Sequence, residues 1–225
     1  MTETASTLER AAMGQDESAL APLSEGVYLH GDVIEPYRAL VRAAQAQGFE
    51  LSIASGYRSF ARQLAIFNAK ARGERAVLND AGDTVAMDTL SDLDKLWAIL
   101  RFSALPGTSR HHWGTDMDVF DRAAMPAEYQ LQLTPAECCR GGVFAKLHEW
   151  LDDYLPGSLF FRPYRVDAGA VAPEPWHLSY APTALEFSKQ LSPERLARVL
   201  AAADIELKDV VLENIPTIYQ RYVCV

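Results

Sequence analysis

The sequence predicts an α+β fold, a small and mainly antiparallel sheet flanked by helices. Segments with apolar residues at helical spacing and segments with strict alternation are mixed along the chain. They do not follow one another in the regular strand–helix–strand order that a parallel sheet requires. A further observation bounds the size: 225 residues, 49% of them hydrophobic and 23% charged, suffice for one sizeable core that needs no staples.

Taken in order, Ile34, Tyr37, Leu40, Val41 and Ala44 recur at helical spacing, and Gly48 closes the run as a C-terminal cap. Phe49, Leu51 and Ile53 then alternate with Glu50, Ser52 and Ala54, the pattern of a half-buried strand ending at Ser55-Gly56. Ser59 caps a helix running to Arg72, with Leu64 and Phe67 inward and Gly73 as its terminator. Residues 73–89 are polar and predict an exposed loop near the functional site. Ser91 and Asp94 form a capping box for a helix whose apolar face is Leu93, Leu96, Trp97 and Leu100. Residues 115–120 predict a second strand, with Asp116 and Asp118 sharing one face.

Thr134-Pro135-Ala136-Glu137 opens a short helix that Gly141-Gly142 breaks. Phe144, Leu147, Leu151 and Tyr154 define a longer one, ended by Pro156. Residues 159–166 and 176–181, aromatic and β-branched between Pro and Gly, predict two more strands. Ser192-Pro193-Glu194 starts a helix carrying Leu196, Val199, Leu200 and Ala203, and Pro216 divides a final segment without a clear period.

Charge and composition narrow the function. Lys plus Arg is 21 and Asp plus Glu is 30, a net charge of −9, which disfavours nucleic acid as the main partner. Apolar runs stay far below the roughly 20 residues of a transmembrane helix, so no membrane span is expected. Nor does a signal-peptide core follow Met1; the chain as written is expected in the cytoplasm, and in the periplasm if an export signal has been removed. Cys138, Cys139 and Cys224 are too few for a disulfide framework and are read as structural or incidental thiols.

Of the histidines, His30 and His148 are read as structural, while His111, His112 and His177 stand among carboxylates. His111-His112 precedes Asp116 and Asp118, and His177 follows Glu174 by three positions. Two imidazoles and one carboxylate form an N/N/O donor set that suits Zn²⁺ and leaves a position open for water. A further carboxylate beside such a set can take that water's proton. Singly, His111-His112 fits a turn, Asp116 and Asp118 fit solvated charges, and Glu174 fits a loop. Their joint occurrence with Ser55-Gly56-Tyr57-Arg58-Ser59, a strand-to-helix turn whose arginine can clamp an oxyanion, carries the reading.

Ser109-x-His111-x-x-Gly114-x-x-x-Asp118, followed by Glu174-x-Trp176-His177 and preceded by Ser55-Gly56-Tyr57-Arg58-Ser59 with Gln63, resembles the zinc D-alanyl-D-alanine carboxypeptidases of the VanY type. That group also includes lysostaphin-type peptidases and the hedgehog signalling domain. The resemblance spans residues 49–182. It implies that His111, Asp118 and His177 bind one Zn²⁺ per chain, with His112 a neighbour. Glu174 would be the general base toward the metal's water and then protonate the leaving amine. Arg58 would stabilise the oxyanion, and Ser109, with Tyr57 and Gln63, would hold the end of the substrate.

The implied activity is hydrolysis of the terminal peptide bond to a D-amino acid, D-alanine, in peptidoglycan-type peptides, with a small peptide or muropeptide as partner. A cross-link endopeptidase of the same chemistry and a non-catalytic zinc-stabilised binding module are the alternatives. A serine hydrolase at Ser109 is disfavoured, since the Gly-x-Ser-x-Gly elbow is missing. The expected organisation is a flexible lead-in over residues 1–25, one catalytic metallopeptidase domain over 26–205, and a C-terminal extension over 206–225 packed on it. Two positions depart from the family's pattern. Asp116 stands where a small apolar residue is usual, and Leu178-Ser179-Tyr180 lacks the common arginine before the tyrosine. Asp116 fits either an acceptor that orients a ligand imidazole or a member of a structural ion pair.

Overall fold

The computed structural model describes residues 6–223. Strands β1 (Leu20–Ser24) and β2 (Val27–His30) pair antiparallel as a separate hairpin. β3 (Leu51–Ser55), β4 (Asp116–Asp121), β5 (Phe160–Phe161) and β6 (His177–Tyr180) form a four-stranded antiparallel sheet in the order β3-β4-β6-β5. The helices are α1 (Thr7–Ala12), α2 (Ile34–Ala46), α3 (Phe60–Ala71), α4 (Asp92–Phe102), α5 (Pro135–Cys138), α6 (Ala145–Tyr154), α7 (Ala181–Ser188), α8 (Pro193–Ala202), α9 (Lys208–Glu213) and α10 (Ile215–Ile218). Among these residues, no helix is long and apolar enough to cross a membrane.

Period-2 alternation gives the central strands two different faces. Met117 and Val119 of β4, Leu178 and Tyr180 of β6 and Leu51 of β3 are buried together with Tyr37, Leu40 and Ala44 of α2 and Leu147 and Leu151 of α6. Asp116 and Asp118 of β4 and His177 and Ser179 of β6 occupy the alternate positions, and all four are buried too. A strand covered on both sides is more enclosed than the half-buried one its alternation suggests. A second core joins Phe67 of α3, Leu96, Ile99 and Leu100 of α4, Leu196 and Leu200 of α8, and Val211, Ile215 and Ile218 of the C-terminal helices.

The helix boundaries follow their caps. Ser59, Ser91 and Ser192 each accept a backbone N–H three residues on, satisfying a donor that has no partner inside the helix. Thr134 and Glu137 form a reciprocal box at the start of α5. Leu93 departs from the expected face of α4 and is 42% exposed, whereas Leu96, Ile99 and Leu100 are buried. It sits in the first turn, where a helical side chain leans back toward the N-terminus and overshoots the packing partners.

Three further expectations are corrected. The strand expected over 159–166 shrinks to Phe160–Phe161, because Pro163 has no N–H for a ladder and Arg162 turns its Nε to the carbonyl of Pro175 at 2.7 Å. Residues 73–89 are not simply an exposed loop: Val77 and Met87 are buried in the helical core, and Leu78 bridges to Thr84. Much of the stretch expected as a flexible lead-in is folded. Ser6 and Glu9 cap α1 reciprocally, and Ala11, Ala12 and Met13 pack with Trp113, Phe187 and Leu191. Residues 1–5 of that stretch lie outside the described residues. Cys138 is a buried free thiol and Cys139 an exposed one, and Cys224 also lies outside the described residues.

Candidate metal centre

His111 lies in a 3₁₀ turn, Arg110–Trp113, that leads directly into β4. Gly114 closes the turn at φ +66°, and a Cβ there would stand 2.7 Å from the backbone nitrogen of His30, so the position requires glycine. The Nδ1 of His111 is 2.8 Å from the carbonyl oxygen of Gly56. A carbonyl only accepts, so this bond puts the ring proton on Nδ1 and leaves Nε2 free, 3.3 Å from Oδ2 of Asp118.

The other two members of the set are joined by strand register. Asp118 of β4 stands directly opposite His177 of β6. Directly opposed side chains share a face and meet across the ladder. Nε2 of His177 gives its proton to Oδ1 of Asp116 at 2.9 Å, which leaves Nδ1 facing Oδ1 of Asp118 at 3.2 Å and Oε2 of Glu174 at 3.4 Å.

Nδ1 of His177 and Oδ1 of Asp118 are fully buried and neither has a hydrogen-bond partner. With the His177 proton on Nε2, both are lone-pair atoms in contact, an arrangement that a cation between them resolves. Donor atoms of His111, Asp118 and His177 all lie within 4.8 Å of one another. The set therefore fits a zinc ion through two imidazole nitrogens and one carboxylate. Electrostatics points the same way. Burial alone would lower the His177 imidazole, yet hydrogen bonds and charge from Asp116, Asp118 and Glu174 push it well above the usual histidine range. Burial would raise Asp118, but His111 and His177 outweigh it and hold the carboxyl well below its usual range.

Glu174 is the most open of the group, its side chain 19% exposed against 3% for His177, 7% for Asp118 and 8% for His111. Arg58 is clamped by its surroundings: one terminal nitrogen donates to Oε1 of Gln63 at 2.9 Å and the other to Oγ of Ser55 at 3.1 Å. Burial makes its charge more costly, while the nearby carboxylates of Asp118 and Glu174 favour it. The β3–β4 register shifts between Ile53 and Ser55, next to Asp118, and that irregularity re-aims the chain into the Arg58 turn. His112 ties this turn to the next: Nδ1 donates to the Arg58 carbonyl and Nε2 accepts from the Gly107 N–H at 3.0 Å. With both nitrogens engaged and burial pushing its pKa down to about 3, His112 is a neutral strut, not a ligand.

Ser109 is buried, and its hydroxyl makes no capping bond to the turn that follows. Two of the expected substrate contacts are placed differently. Gln63 is fully buried and uses both ends of its amide, accepting from Arg58 and donating to the Ala104 carbonyl at 2.6 Å, so it fixes Arg58. The Tyr57 hydroxyl donates to Oε1 of Glu17 at 3.2 Å and lies 3.4 Å from the Gly14 carbonyl, both acceptors supplied by the folded N-terminal segment.

Four neighbours escape sequence reasoning. Tyr164 stands edge-on to His177 with ring centroids 5.1 Å apart. Arg110, Thr115 and Ser179 all surround Asp116. The signals in the chain are the adjacency of Arg110 and Thr115 to His111 and Asp116 and the departure at Leu178-Ser179-Tyr180; none of them gives the contacts with Asp116.

An aspartate and a histidine opposed across β4 and β6, a second histidine from the adjoining 3₁₀ turn, an open glutamate and an anchored arginine form a set that fits the class of zinc metallopeptidases. Residues 26–183 match the VanY D-alanyl-D-alanine carboxypeptidase family, and the chain belongs to it. An uncharacterized protein of Haemophilus influenzae is 37% identical over 121 residues, 53% of this chain and 92% of that one. Among solved structures, VanYB in complex with D-alanine-D-alanine superposes with a TM-score of 0.53 at 21% identity, covering 82% of this chain and 89% of its own. A vancomycin-resistance D,D-pentapeptidase VanY variant in complex with Zn(II) gives 0.51 at 22% identity, covering 85% and 88%. At such identities the likeness to these structures is one of fold.

Proposed function

We propose that the protein is a zinc-dependent carboxypeptidase that releases the terminal D-alanine from peptidoglycan-type peptides. The observation that carries this reading is the cross-strand pair Asp118–His177, whose facing buried atoms lack partners, with His111 completing the set and Glu174 at its open side. The substrate class rests on family membership, and a relative of the same fold holds D-alanine-D-alanine.

Zn²⁺, when held by Nε2 of His111, Asp118 and Nδ1 of His177, lowers the pKa of water toward about 7 and polarises a carbonyl. Glu174 takes the proton of the attacking water on its carboxylate and hands it to the nitrogen of the departing D-alanine. Arg58, held by Gln63 and Ser55, keeps N–H groups free to meet the carbonyl oxygen as it becomes negative. Ser109, at the start of the turn that carries His111, is the residue the family resemblance assigns to the substrate's terminal carboxylate. Asp116 holds the His177 ring through Nε2. The net charge of −9 does not oppose an anionic substrate, because the local cationic groups act at short range and distant surface charge is screened by salt.

The test is D-alanine release from muropeptides ending in D-Ala-D-Ala, and from the shortened tetrapeptides, with the zinc content of the protein measured in parallel. Zinc-dependent release that Glu174→Ala abolishes while keeping the metal is the expected result. Zinc-loaded protein that releases no D-alanine, or undiminished release by Glu174→Ala, overturns the reading. Cleavage within cross-links instead of at the terminus would favour the endopeptidase.

A further inference from the structure

Nothing in the mechanism above uses Arg110, yet few side chains here are so constrained. It is only 10% exposed, Nε donates to Oδ1 of Asp116 at 2.7 Å, and a terminal nitrogen donates to Oγ of Ser179 at 2.6 Å. Its guanidinium lies 4.6 Å from the ring centre of Trp113 and 5.5 Å from that of Phe161. Two rings and two hydrogen bonds leave it one geometry.

The group it holds is the completely buried carboxylate of Asp116. Besides Arg110, that carboxylate accepts from Oγ1 of Thr115 at 2.7 Å, Oγ of Ser179 at 3.0 Å and Nε2 of His177 at 2.9 Å. In the ladder Asp116 faces Ser179, on the same sheet face as the Asp118–His177 pair. A carboxylate with this many donors has its plane set, and the imidazole that donates to it has its rotation set in turn.

We propose that Arg110 is a positioning residue of the metal centre. It fixes Asp116, with Ser179 bridging β4 and β6, so that the His177 ring presents Nδ1 to the metal. The proposal rests on the zinc reading of the site and adds two side chains to it, Arg110 and Ser179, behind Asp116. It differs in sign from a pure charge effect: a cation near the site repels zinc, so its removal would tighten binding if charge alone mattered.

The experiment measures the zinc affinity of the full-length protein by chelator competition, together with the visible absorption of the cobalt-substituted form. The variants are Asp116→Ala, Arg110→Ala, their combination and Arg110→Lys. Asp116→Ala is expected to weaken zinc binding on the order of 10- to 100-fold. Arg110→Ala is expected to weaken it comparably, with an altered cobalt spectrum, and the double variant no more than the larger single, since both act on one ring. Arg110→Lys, which keeps the charge without the fork, is expected to fall between wild type and Arg110→Ala. Metal-free thermal unfolding identifies a variant that no longer folds; should Arg110→Ala fail there, Ser179→Ala replaces it, with a smaller loss expected. Unchanged or tighter zinc binding in Arg110→Ala or its replacement, or additive losses in the double variant, overturns the proposal and leaves the zinc reading intact. Wild type that fails to bind zinc, or His177→Ala that binds it equally well, overturns the zinc reading itself.

Discussion

His177 and His148 are both buried, and each has one ring nitrogen without a hydrogen-bond partner, yet their surroundings pull in opposite directions. His177 stands on β6 among Asp116, Asp118 and Glu174, which push its pKa well up. His148 stands on α6, where burial, with the Arg162 guanidinium 3.2 Å from its Nδ1, pushes it down to about 4. One place welcomes positive charge and the other rejects it. The difference teaches that an orphaned buried imidazole is not by itself a ligand; what makes a site is the convergence of further lone pairs on the same point. Among the described residues, His111, Asp118 and His177 are the group that achieves this.

The most drastic way to test the contrast is to remove each ring. His177→Ala is expected to lose zinc and D-alanine release together, and His148→Ala to retain both, as read by metal analysis and turnover. Loss of zinc in His148→Ala would erase the distinction. Arg58→Ala should lower kcat on the order of 10²- to 10³-fold without releasing the metal, because it removes an oxyanion donor and no ligand. Equal losses of zinc and activity would instead make Arg58 part of the scaffold of the metal centre.

Smaller effects concern stability. Gly114→Ala, beside His111, is expected to cost about 2–3 kcal/mol in urea unfolding, since it adds a 2.7 Å approach to backbone to an unfavourable φ. Gly141→Ala, at φ +91° with nothing within 4 Å of the new Cβ, should cost about 1 kcal/mol.

His148 also predicts a pH dependence. Its pKa is about 4 in the folded protein against 6.5 ordinarily, so between these values the unfolded chain takes up a proton that the folded one refuses. Stability is therefore lost as pH falls through that window, by roughly 1–2 kcal/mol from pH 7 to 5. His148→Gln should flatten the slope, as unfolding midpoints at the two pH values would show. Trp113→Phe, which gives up the 2.9 Å bond from Nε1 to the Ala12 carbonyl, should cost about 1 kcal/mol, as Gly141→Ala does.

Much of this molecule was legible in order of locality. Capping serines, the alternation on β4 and the helical period of α2 appear in the sequence as they appear in the fold, because each depends on residues within a few positions. The hairpin β1–β2 and helix α1 went unread. The Ser6–Glu9 capping box announces α1, but so short a helix is stable only against Trp113, about a hundred residues away. Residue types also settled the donor set, since imidazole and carboxylate chemistry does not depend on the fold. Their partners were another matter. Tyr57 and Gln63 belong to a recognisable motif, yet one turns to the N-terminal segment and the other locks Arg58.

The two departures from the family's pattern illustrate the same boundary. In the chain, Asp116 and Ser179 are separate oddities; in the sheet they are opposite members of one rung, hydrogen-bonded at 3.0 Å and held by Arg110. Chain chemistry was enough to say which atoms can bind a metal and where helices begin. Strand register, which sets Asp118 against His177 and Asp116 against Ser179, came from the fold, because it follows from burying Met117, Val119, Leu178 and Tyr180 on one shared core. A slip of one residue would turn every one of those polar groups toward the apolar side, and no local pattern records which of the two pairings the core will choose.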